Sequence, residues 1–500
     1  MDIKQLEKAI SYLPKHEQQS VFDAYEVAKK IHAKESRYSG EPYIIHPLTV
    51  AYYLSLEHLD ANTIIAALLH DVIENSNYTI KDIKKQFGSE VAMLVDGVTK
   101  LNKVRIKNDW KFPETLIDKI TGKERRVFEQ HVDNLRKMFL AMTQDVRIII
   151  LKLADRLHNM QTLSYLPHDK QSQIAQETLE IYTPIAYRLG IGELKGTIED
   201  LCFPYVYPKE YKEVKKIFQK YAPKKEDFIE RFKKILASDL DREHFKYEIN
   251  GRKKHLYSFW QKLRRYNNDL TKIYDLVAMR IIVDNTEDCY KVLGIIHKQY
   301  KPLIGRIKDY IAVPKPNGYQ SLHTTVFGPE GEIIEIQIRT WKMHELAEFG
   351  VAAHWHYSTI KNIKNKSAQS FHIPRQQIDW LEELARWHEK ITDPDEWTKG
   401  LKMDFFHKQI FVFSPKGDVF NLPADSTPVD FAYAIHSDIG NYCVGAKVNN
   451  KLTRLNSTLK NGDIVDIVTT KYPTGPKKDW LKFVKSHRAK DEIKAYYQKK

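Results

Sequence analysis

The first 200 residues repeat apolar side chains every three to four positions. This spacing runs through residues 21–31, 63–73 and 146–157. A period near 3.6 is typical of amphipathic helices that bury one face. The pattern therefore predicts an all-helical first domain over residues 1–200.

The pattern changes to strict alternation further along the chain. Residues 333–339 place isoleucine at every second position, and the positions between them carry Glu335, Gln337 and Arg339. Residues 322–327 form a second run rich in Thr and Val, and residues 328–331 between the two runs have turn chemistry. Period-2 alternation predicts a half-buried β-hairpin with one polar face. Such a face is usually only solvated. However, the cations and imidazole close by in the sequence suit phosphate binding around a carboxylate-held metal; they are Arg306, Lys308, Lys315 and His323.

A basic segment precedes this hairpin. In GRKKHLYSFWQKLRR, Lys254, Ser258 and Lys262 are four residues apart, which predicts one helical face with two ammonium groups and a hydroxyl. Arg252 is expected at the start of that helix. A solvated basic face is the plainer alternative, and the glycine and arginine at the helix start favour a phosphate site.

An apolar strand follows, in IYDLVAMRIIVD, and carries Asp275 and Arg280. Asp275 fits either a turn or a Mg²⁺ ligand. The sequence contains neither a Walker-type loop nor a protein-kinase motif set, which excludes the standard phosphoryl-transfer scaffolds. Asp275 and Glu335 are then the carboxylate pair left for the chemistry.

The helical part of the chain holds a second set of candidate ligands: His46, His70, Asp71 and Asp155. Two imidazoles and two carboxylates suit Mn²⁺ or Fe²⁺ better than structural zinc. Each residue by itself is more simply an ordinary polar residue on a helix. The pair His70 and Asp71 is expected inside a strongly apolar helix, where a buried aspartate needs a partner.

The last third of the chain reads as a linker and a small β domain. Residues 357–403 are a polar linker followed by a Trp-bearing helix. Strands are predicted at 410–413, 418–422, 444–448 and 463–468, with a capping box at Thr427 and Asp430. Residues 404–470 therefore fit a small β-grasp domain, and residues 471–500 are a basic tail interleaved with aromatic residues.

Composition narrows the class of protein. A chain of 500 residues is expected to divide into about three domains. A net charge of +14 favours polyanionic partners such as nucleotides or RNA. No apolar run approaches the ~20 residues of a spanning helix, so we expect a cytoplasmic protein without membrane contact. Three scattered cysteines agree with a reducing compartment.

Several longer motifs carry a family resemblance. SRYSGEPYIIHP, LLHDVIEN, VDGVTKL, NLRKMFLAM and KLADRLHNMQTL resemble the hydrolase domain of the RelA/SpoT family, the (p)ppGpp synthetase/hydrolases of the stringent response. The resemblance implies a multidomain fold with an all-α HD-type domain (1–200), an α+β nucleotidyltransferase-like synthetase domain (201–356) and a β-grasp TGS domain (404–470). Full-length members continue beyond the TGS domain with further regulatory modules.

The resemblance also implies roles in the hydrolase domain. Mn²⁺ would be held by the four candidate ligands, and Arg37, Asn159 and Thr162 would contact the guanine nucleotide. Glu74 and the next residue would act on the attacking water. Hydrolase-competent members usually have Asp after that Glu, whereas this chain has Asn75. Losing a carboxylate removes a proton acceptor, so hydrolysis is the less secure of the two implied activities.

In the synthetase domain, the resemblance implies that ATP and GDP or GTP react at one Mg²⁺ centre held by Asp275 and Glu335. Arg252 and Arg280 would sandwich adenine, and Lys254, Ser258 and Lys262 would hold the phosphates of ATP. Tyr319 would stack on guanine, with Lys315, Asn317, His323 and Gln337 in support. Arg306, Lys308 and Asp309 form the RxKD pattern of members with both activities.

The expected function is therefore a bifunctional alarmone enzyme. The alternative is a regulator that binds ribosome or uncharged tRNA and retains only the synthetase, or carries a decayed hydrolase centre. His436 in the TGS-like region would then meet the tRNA acceptor end, although an ordinary histidine at a helix end is the plainer interpretation. A broad-specificity HD phosphodiesterase is a weaker third option, because it leaves residues 245–355 unexplained.

Overall fold

A computed structural model describes residues 1–74, 76–102, 144–315, 317–353, 409–470 and 475–498, together with 136 and 140. The chain divides into two compact units, one with residues 1–112 and 133–386 and the other with residues 113–132 and 387–500. Asn75 and the linker and helix expected at 357–403 lie outside the described residues. Among the described helices, none has the length and apolarity needed to cross a bilayer.

Among the described residues of the first 200, the secondary-structure elements are helices joined by turns and loops, as the sequence predicts. The helices of this region are α1 (Ile3–Ala9), α2 (Lys15–Ile31), α3 (Ile45–Leu56), α4 (Ala61–Leu69), α5 (Ile80–Phe87), α6 (Ser89–Asn102), α7 (Val146–Gln161), α8 (His168–Glu177) and α9 (Thr183–Arg188). α4 and α7 are buried along most of their length. Together with α3, which carries His46, they bring the candidate metal ligands close to one another.

Two helices connect this bundle to a sheet. They are α10 (Gly192–Val206) and the 35-residue α11 (Pro208–Arg242). The sheet order is β1-β2-β5-β4-β3, with only β2 and β5 parallel. Its strands and helices are β1 (Tyr247–Lys253), α12 (Leu256–Arg265), β2 (Val277–Val283), α13 (Thr286–Gln299), β3 (Lys308–Asp309), β4 (Leu322–Phe327), β5 (Ile333–Thr340) and α14 (Trp341–Phe349).

The predicted hairpin is confirmed as β4 and β5, which pair antiparallel. Ile334, Ile336 and Ile338 are all buried on one face of the sheet, where they join the main apolar core. The opposite face carries Arg280, His323, Glu335, Gln337 and Arg339. It is more than a solvated surface, because Arg339 on it is fully buried.

The second unit contains the small β domain. Its elements are β6 (Gln409–Phe413), β7 (Val419–Pro423), α15 (Pro428–Ile435), α16 (Ser437–Asn441), β8 (Cys443–Val448), β9 (Lys451–Thr453), β10 (Val465–Thr469) and α17 (His487–Gln498). The predicted capping box is present: Asp430 accepts hydrogen bonds from the backbone and hydroxyl of Thr427, both at 2.8 Å.

The basic tail belongs to the same small domain. The other oxygen of Asp430 accepts hydrogen bonds from the amides of Lys485 and Ser486 at 2.9 and 2.7 Å. Trp480 is buried in a core shared with Val429 and Tyr433. The aromatic residues interleaved with the basic residues of this tail thus include one, Trp480, whose ring packs in the interior.

Candidate active sites

Three side chains of the helical bundle form a buried cluster with metal-ligand chemistry. His46 is the second residue of α3, and His70 and Asp71 follow the last residue of α4. Their ligand atoms all lie within 4.8 Å of one another. The expectation that His70 and Asp71 lie inside a helix is wrong, because α4 ends at Leu69. The turn that follows aims both side chains back toward His46.

Hydrogen bonds fix which imidazole nitrogens face this cluster. Nδ1 of His70 lies 2.7 Å from the carbonyl of Ala67 and donates to it, so Nε2 is the nitrogen that faces the cluster. Arg37 can only donate to Nδ1 of His158, at 2.8 Å, which makes that nitrogen an acceptor for Nδ1 of His46 as well. Burial lowers the pKa of His46, so the ring is neutral. Nε2 of both rings thus faces carboxylate oxygens, and these nitrogens and oxygens are ligands that one cation can share.

Asp155, the fourth predicted ligand, lies beside the cluster and contacts His46. Its Oδ1 lies 3.2 Å from Nε2 of His46, while its Oδ2 accepts from Nζ of Lys152 at 2.6 Å. Burial raises the pKa of Asp155, but the Lys152 ammonium opposes burial, and the pKa lies well below its ordinary value. The donor set fits a divalent metal with mixed nitrogen and oxygen ligands.

The predicted nucleotide contacts of this centre surround one cavity. Arg37, Asn159 and Thr162 line a space of about 200 Å³ beside the cluster, together with Tyr38, Ser39, Lys152, Arg156, Leu163, Tyr165, Leu166 and Ile174. Arg37 donates to the amide oxygen of Asn159 at 2.7 Å. Glu74 is exposed.

Sequence reasoning missed His158 in this site. It follows Asp155 by three residues on α7, so both lie on one helical face, and this spacing was the available signal. Burial, His46 and Arg37 lower the pKa of His158 to about 3, which keeps the ring neutral.

The second site lies on the polar face of the sheet. Asp275, two residues before β2, accepts from Nζ of Lys254 and lies 2.7 Å from Nζ of Lys262. Burial raises the pKa of Asp275, but these two ammonium groups hold it below its ordinary value despite the neighbouring Glu335 carboxylate. A carboxylate surrounded by cations is the arrangement expected where phosphates and a divalent ion meet.

The structure corrects the expected placement of the phosphate-binding residues. α12 begins at Leu256, so Lys254 precedes the helix, and only Ser258 and Lys262 are on it. Arg252 lies within β1, because strand pairing with β2 continues through Lys253. Lys254 and Lys262 nevertheless converge on Asp275.

Glu335 stands at the end of a hydrogen-bonded chain. Its Oε1 lies 3.3 Å from Nδ1 of His323, and Nε2 of His323 lies 2.8 Å from the hydroxyl of Tyr319. Burial lowers the pKa of His323, so the neutral ring donates to Glu335 and accepts from Tyr319. Although burial raises the pKa of Glu335, hydrogen bonds from His323 and Gln337 hold it at about 2. Glu335 is therefore ionised at neutral pH.

The remaining predicted acceptor residues cluster around this chain. Nζ of Lys315 lies 4.6 Å from the ring centre of Tyr310 and 4.7 Å from that of Tyr319. Asn317 accepts a hydrogen bond from the amide of Tyr319 at 3.3 Å. Oε1 of Gln337 is buried without a hydrogen-bond partner among the described residues.

The RxKD residues divide between two tasks. The guanidinium of Arg306 lies 5.7 Å from the ring centre of Tyr274, and Lys308 stands opposite His323 on the neighbouring strand. Asp309 instead accepts hydrogen bonds from the amides of Ile311 and Ala312 and from the hydroxyl of Tyr290. Asp309 therefore shapes the loop, and the two cations are left to face the site.

A carboxylate on α14 holds two arginines of the sheet, and the sequence analysis did not single it out. Oε1 of Glu348 lies 2.8 Å from Arg339 and 3.2 Å from Arg280. Both guanidinium groups are almost fully buried. The only signal in the sequence was an acidic residue on the helix after β5, which is too common to be specific.

Replacing Glu348 with glutamine is expected to lower the free energy of unfolding by about 3 kcal/mol, because two buried cations lose their counter-ion. Urea denaturation followed by tryptophan fluorescence measures it. The matched control is Glu330→Gln, which removes an exposed pair with Arg231 and should cost less than about 1 kcal/mol. Equal losses in the two variants would contradict the assignment.

His436 lies between two helices of the small β domain. It ends α15 and begins α16, where its Nδ1 accepts from the amide of Asp438 at 3.2 Å. Its side chain is 65% exposed. The imidazole is therefore open to a partner at Nε2.

Three family models match the chain. They are the HD domain at residues 24–192, the region found in RelA / SpoT proteins at residues 251–362, and the TGS domain at residues 410–469. The chain belongs to the RelA/SpoT family. The two sites described above fall within the first two matched regions, and His436 falls within the third.

Relatives from several bacteria match nearly the whole chain. The GTP pyrophosphokinase of Streptomyces coelicolor is 44% identical over 486 residues, which are 95% of this chain and 55% of that protein. The guanosine-3′,5′-bis(diphosphate) 3′-pyrophosphohydrolase of Aquifex aeolicus is 43% identical over 495 residues (99% and 66%). The bifunctional (p)ppGpp synthase/hydrolase RelA of Mycobacterium tuberculosis is 42% identical over 480 residues (95% and 62%). The chain thus spans between about half and two thirds of the length of these relatives.

Proposed function

We propose that the chain both makes and degrades guanosine 3′-pyrophosphate alarmones. Residues 201–356 would transfer the β,γ-pyrophosphate of ATP to the 3′-hydroxyl of GDP or GTP, and residues 1–200 would remove it by hydrolysis. The observation that carries the proposal is the presence of two separate polar centres in one compact unit. One has imidazole nitrogens facing carboxylates, and the other has carboxylates facing lysines.

Synthesis would depend mainly on positioning and charge neutralisation. The 3′-oxygen of the acceptor forms a bond to the β-phosphorus of ATP, the bond to the α,β-bridging oxygen breaks, and AMP leaves. Lys254, Ser258 and Lys262 would hold the ATP phosphates, and Arg252 and Arg280 the adenine.

The acceptor nucleotide would lie against Glu335 and its hydrogen-bonded chain. Glu335 would accept the proton of the 3′-hydroxyl, since His323 holds the carboxylate in a fixed orientation. Tyr319 would stack on guanine and Oε1 of Gln337 would accept from a donor of the ligand. The supporting residues would be Arg306, Lys308, Lys315, Asn317 and His323.

Bound divalent cations, proposed as Mg²⁺ at Asp275 and Glu335 and as Mn²⁺ at His46, His70, Asp71 and Asp155, would neutralise phosphate charge and lower the pKa of water. For hydrolysis, Arg37, Asn159 and Thr162 would fix the nucleotide in the cavity beside the second of these sites. Glu74 would orient the attacking water, with Asn75 in the place of a carboxylate.

Two assays test the proposed function separately. Purified protein with ATP, GDP and Mg²⁺ should release AMP, and failure to do so across pH and metal concentrations would refute the synthetase. The alarmone with Mn²⁺ should release pyrophosphate. If only Asn75→Asp releases it, the hydrolase centre of the natural chain is inactive, and the synthetase-only alternative holds.

Binding of the acceptor is expected to weaken as the pH rises through about 8. Burial, with Lys308 nearby, lowers the pKa of Lys315 to about 8, so the ammonium is charged below that pH and neutral above it. The KM for GDP should rise by roughly tenfold between pH 7 and 9, in line with loss of one phosphate-facing charge. The control is Lys315→Arg, which stays charged and should flatten the profile. The same rise in both proteins would exclude Lys315 as its source.

We propose RNA as a partner of the small β domain. His436 is exposed at a helix boundary. The guanidinium of Arg488 donates to the carbonyl of Ala434, two residues before His436, at 3.3 Å. An exposed imidazole and a fixed guanidinium suit a phosphate backbone. Uncharged tRNA, alone or on the ribosome, should bind more weakly to His436→Glu than to the natural chain in a filter-binding assay.

A further inference from the structure

Helix α10 is shared by the two catalytic parts of the first unit. It packs against α7 and α8 of the helical bundle and also against α12 and α14 of the synthetase part. The contact is close: a Cβ added to Gly192 would lie 2.8 Å from the carbonyl oxygen of Ala347, and one added to Gly196 would lie 2.2 Å from the ring of His255. Two glycines thus allow α10 to approach the synthetase elements.

His255 is the side chain that fills the space above Gly196. Its Nδ1 lies 3.0 Å from Oδ2 of Asp200 and its Nε2 lies 3.5 Å from Oε1 of Glu193. A carboxylate beside each ring nitrogen favours the imidazolium, which has a hydrogen on both. Burial lowers the pKa of His255, but hydrogen bonds to these two carboxylates outweigh burial and raise it to about 9.

The same carboxylate of α10 caps the helix that carries the ATP-binding residues. Oδ1 of Asp200 accepts from the amide of Tyr257 at 2.8 Å, in the first turn of α12. The residue before α12 is His255, and its own side chain makes no capping hydrogen bond. The cap is thus supplied by a different helix, with His255 fixing the carboxylate that provides it.

A third contact reaches a phosphate-binding residue itself. Oγ of Ser258 lies 3.4 Å from Oε2 of Glu199. The other carboxylate oxygen of Glu199, Oε1, lies 2.7 Å from Nζ of Lys195. Glu193, Glu199 and Asp200 therefore all contact the start of α12. Lys262, which meets Asp275, lies one turn after Ser258 on the same helix.

We propose that His255 is a positioning residue of the synthetase centre. The imidazolium bonded to Glu193 and Asp200 fixes the first turn of α12 against α10, and so fixes Ser258 and Lys262 around the phosphates of ATP. This inference rests on the proposed synthetase function. The charged groups that act on the ring are Asp200 and Glu193 on α10, and Arg252 and Arg280 of the sheet act in turn on Glu193.

Steady-state kinetics of the purified chain separate positioning from general damage. We expect His255→Gln, which is neutral, to raise the KM for ATP on the order of tenfold while the KM for GDP changes less than about twofold. In the natural protein the KM for ATP should also rise as the pH passes about 9, and this limb should be absent in His255→Gln. His244→Asn is the matched control, because His244 is exposed. Its φ is 57°, a left-handed backbone conformation that asparagine also tolerates. It should match the natural protein.

Hydrogen exchange gives a readout that does not depend on activity. The amide of Tyr257 should exchange slowly in the natural protein and faster in both His255→Ala and Asp200→Asn. The exchange rates of the amides of the helical bundle should be unchanged. If the natural protein releases AMP but His255→Gln keeps its KM for ATP and its pH profile, the inference is overturned and the proposed function stands. If the natural protein releases no AMP, the proposed function fails. Unchanged exchange at Tyr257 in the variants would also overturn the proposed role of His255 in fixing α12 against α10.

Discussion

Replacing Asp275 with asparagine, or Glu335 with glutamine, is expected to reduce AMP release from ATP and GDP by about 10³-fold, because each change removes a carboxylate proposed to hold Mg²⁺ beside the reacting phosphates. Asp275 is the point where Lys254 and Lys262 meet, and Glu335 ends the hydrogen-bonded chain through His323. The amides keep the shape of both side chains. Initial rates of AMP formation, measured at saturating ATP, give the comparison.

The hairpin that carries Glu335 provides the control for this experiment. Glu332 directly precedes β5, is exposed, and pairs with Lys225 at the surface. Glu332→Gln should retain the rate of the natural protein. Hydrolysis of the alarmone should persist in both site variants, since the bundle cluster shares no ligand with the sheet. A rate loss in Glu332→Gln as large as in Glu335→Gln would contradict the assignment of the site.

Short-range pattern was sufficient for much of the fold. The alternation at Ile334, Ile336 and Ile338 predicted the face of β5 that is buried, since strand side chains point to opposite sides at every second residue. The capping box at Thr427 and Asp430 likewise depends on residues three apart. Features of this kind are local, and the structure confirms them.

Local pattern could not give the features that depend on tertiary contacts. The apolar run around His70 continues the helical period, yet α4 ends at Leu69 because the turn brings Asp71 to His46. Lys254 has helical spacing to Ser258, yet its amide bonds to the carbonyl of Leu276 at 3.1 Å and extends the strand pairing. Glu348 and His255 act on residues from other elements, so neither has a signal in its own neighbourhood.

Removing one ligand of the bundle cluster is expected to weaken its metal binding strongly. Nε2 of His70 has no hydrogen-bond partner among the described residues, and it lies 3.3 Å from Oδ2 of Asp71. His70→Ala and Asp71→Asn should each weaken Mn²⁺ binding by about 100-fold or more, since even outer-shell changes at metal sites cost 10–100-fold. Electron paramagnetic resonance of free Mn²⁺ measures it, in an Asp275→Asn/Glu335→Gln background that silences the sheet site.

The same cluster predicts how activity responds to metal removal. Chelation should stop pyrophosphate release from the alarmone, and added Mn²⁺ should restore it in the natural protein but not in His70→Ala. The exposed His16, replaced by alanine, is the control and should bind Mn²⁺ normally. Because imidazole nitrogens and carboxylates converge in a buried site, loss of the cation would leave these polar groups without the ligand that pairs them. Unchanged Mn²⁺ affinity in both His70→Ala and Asp71→Asn would refute the metal assignment.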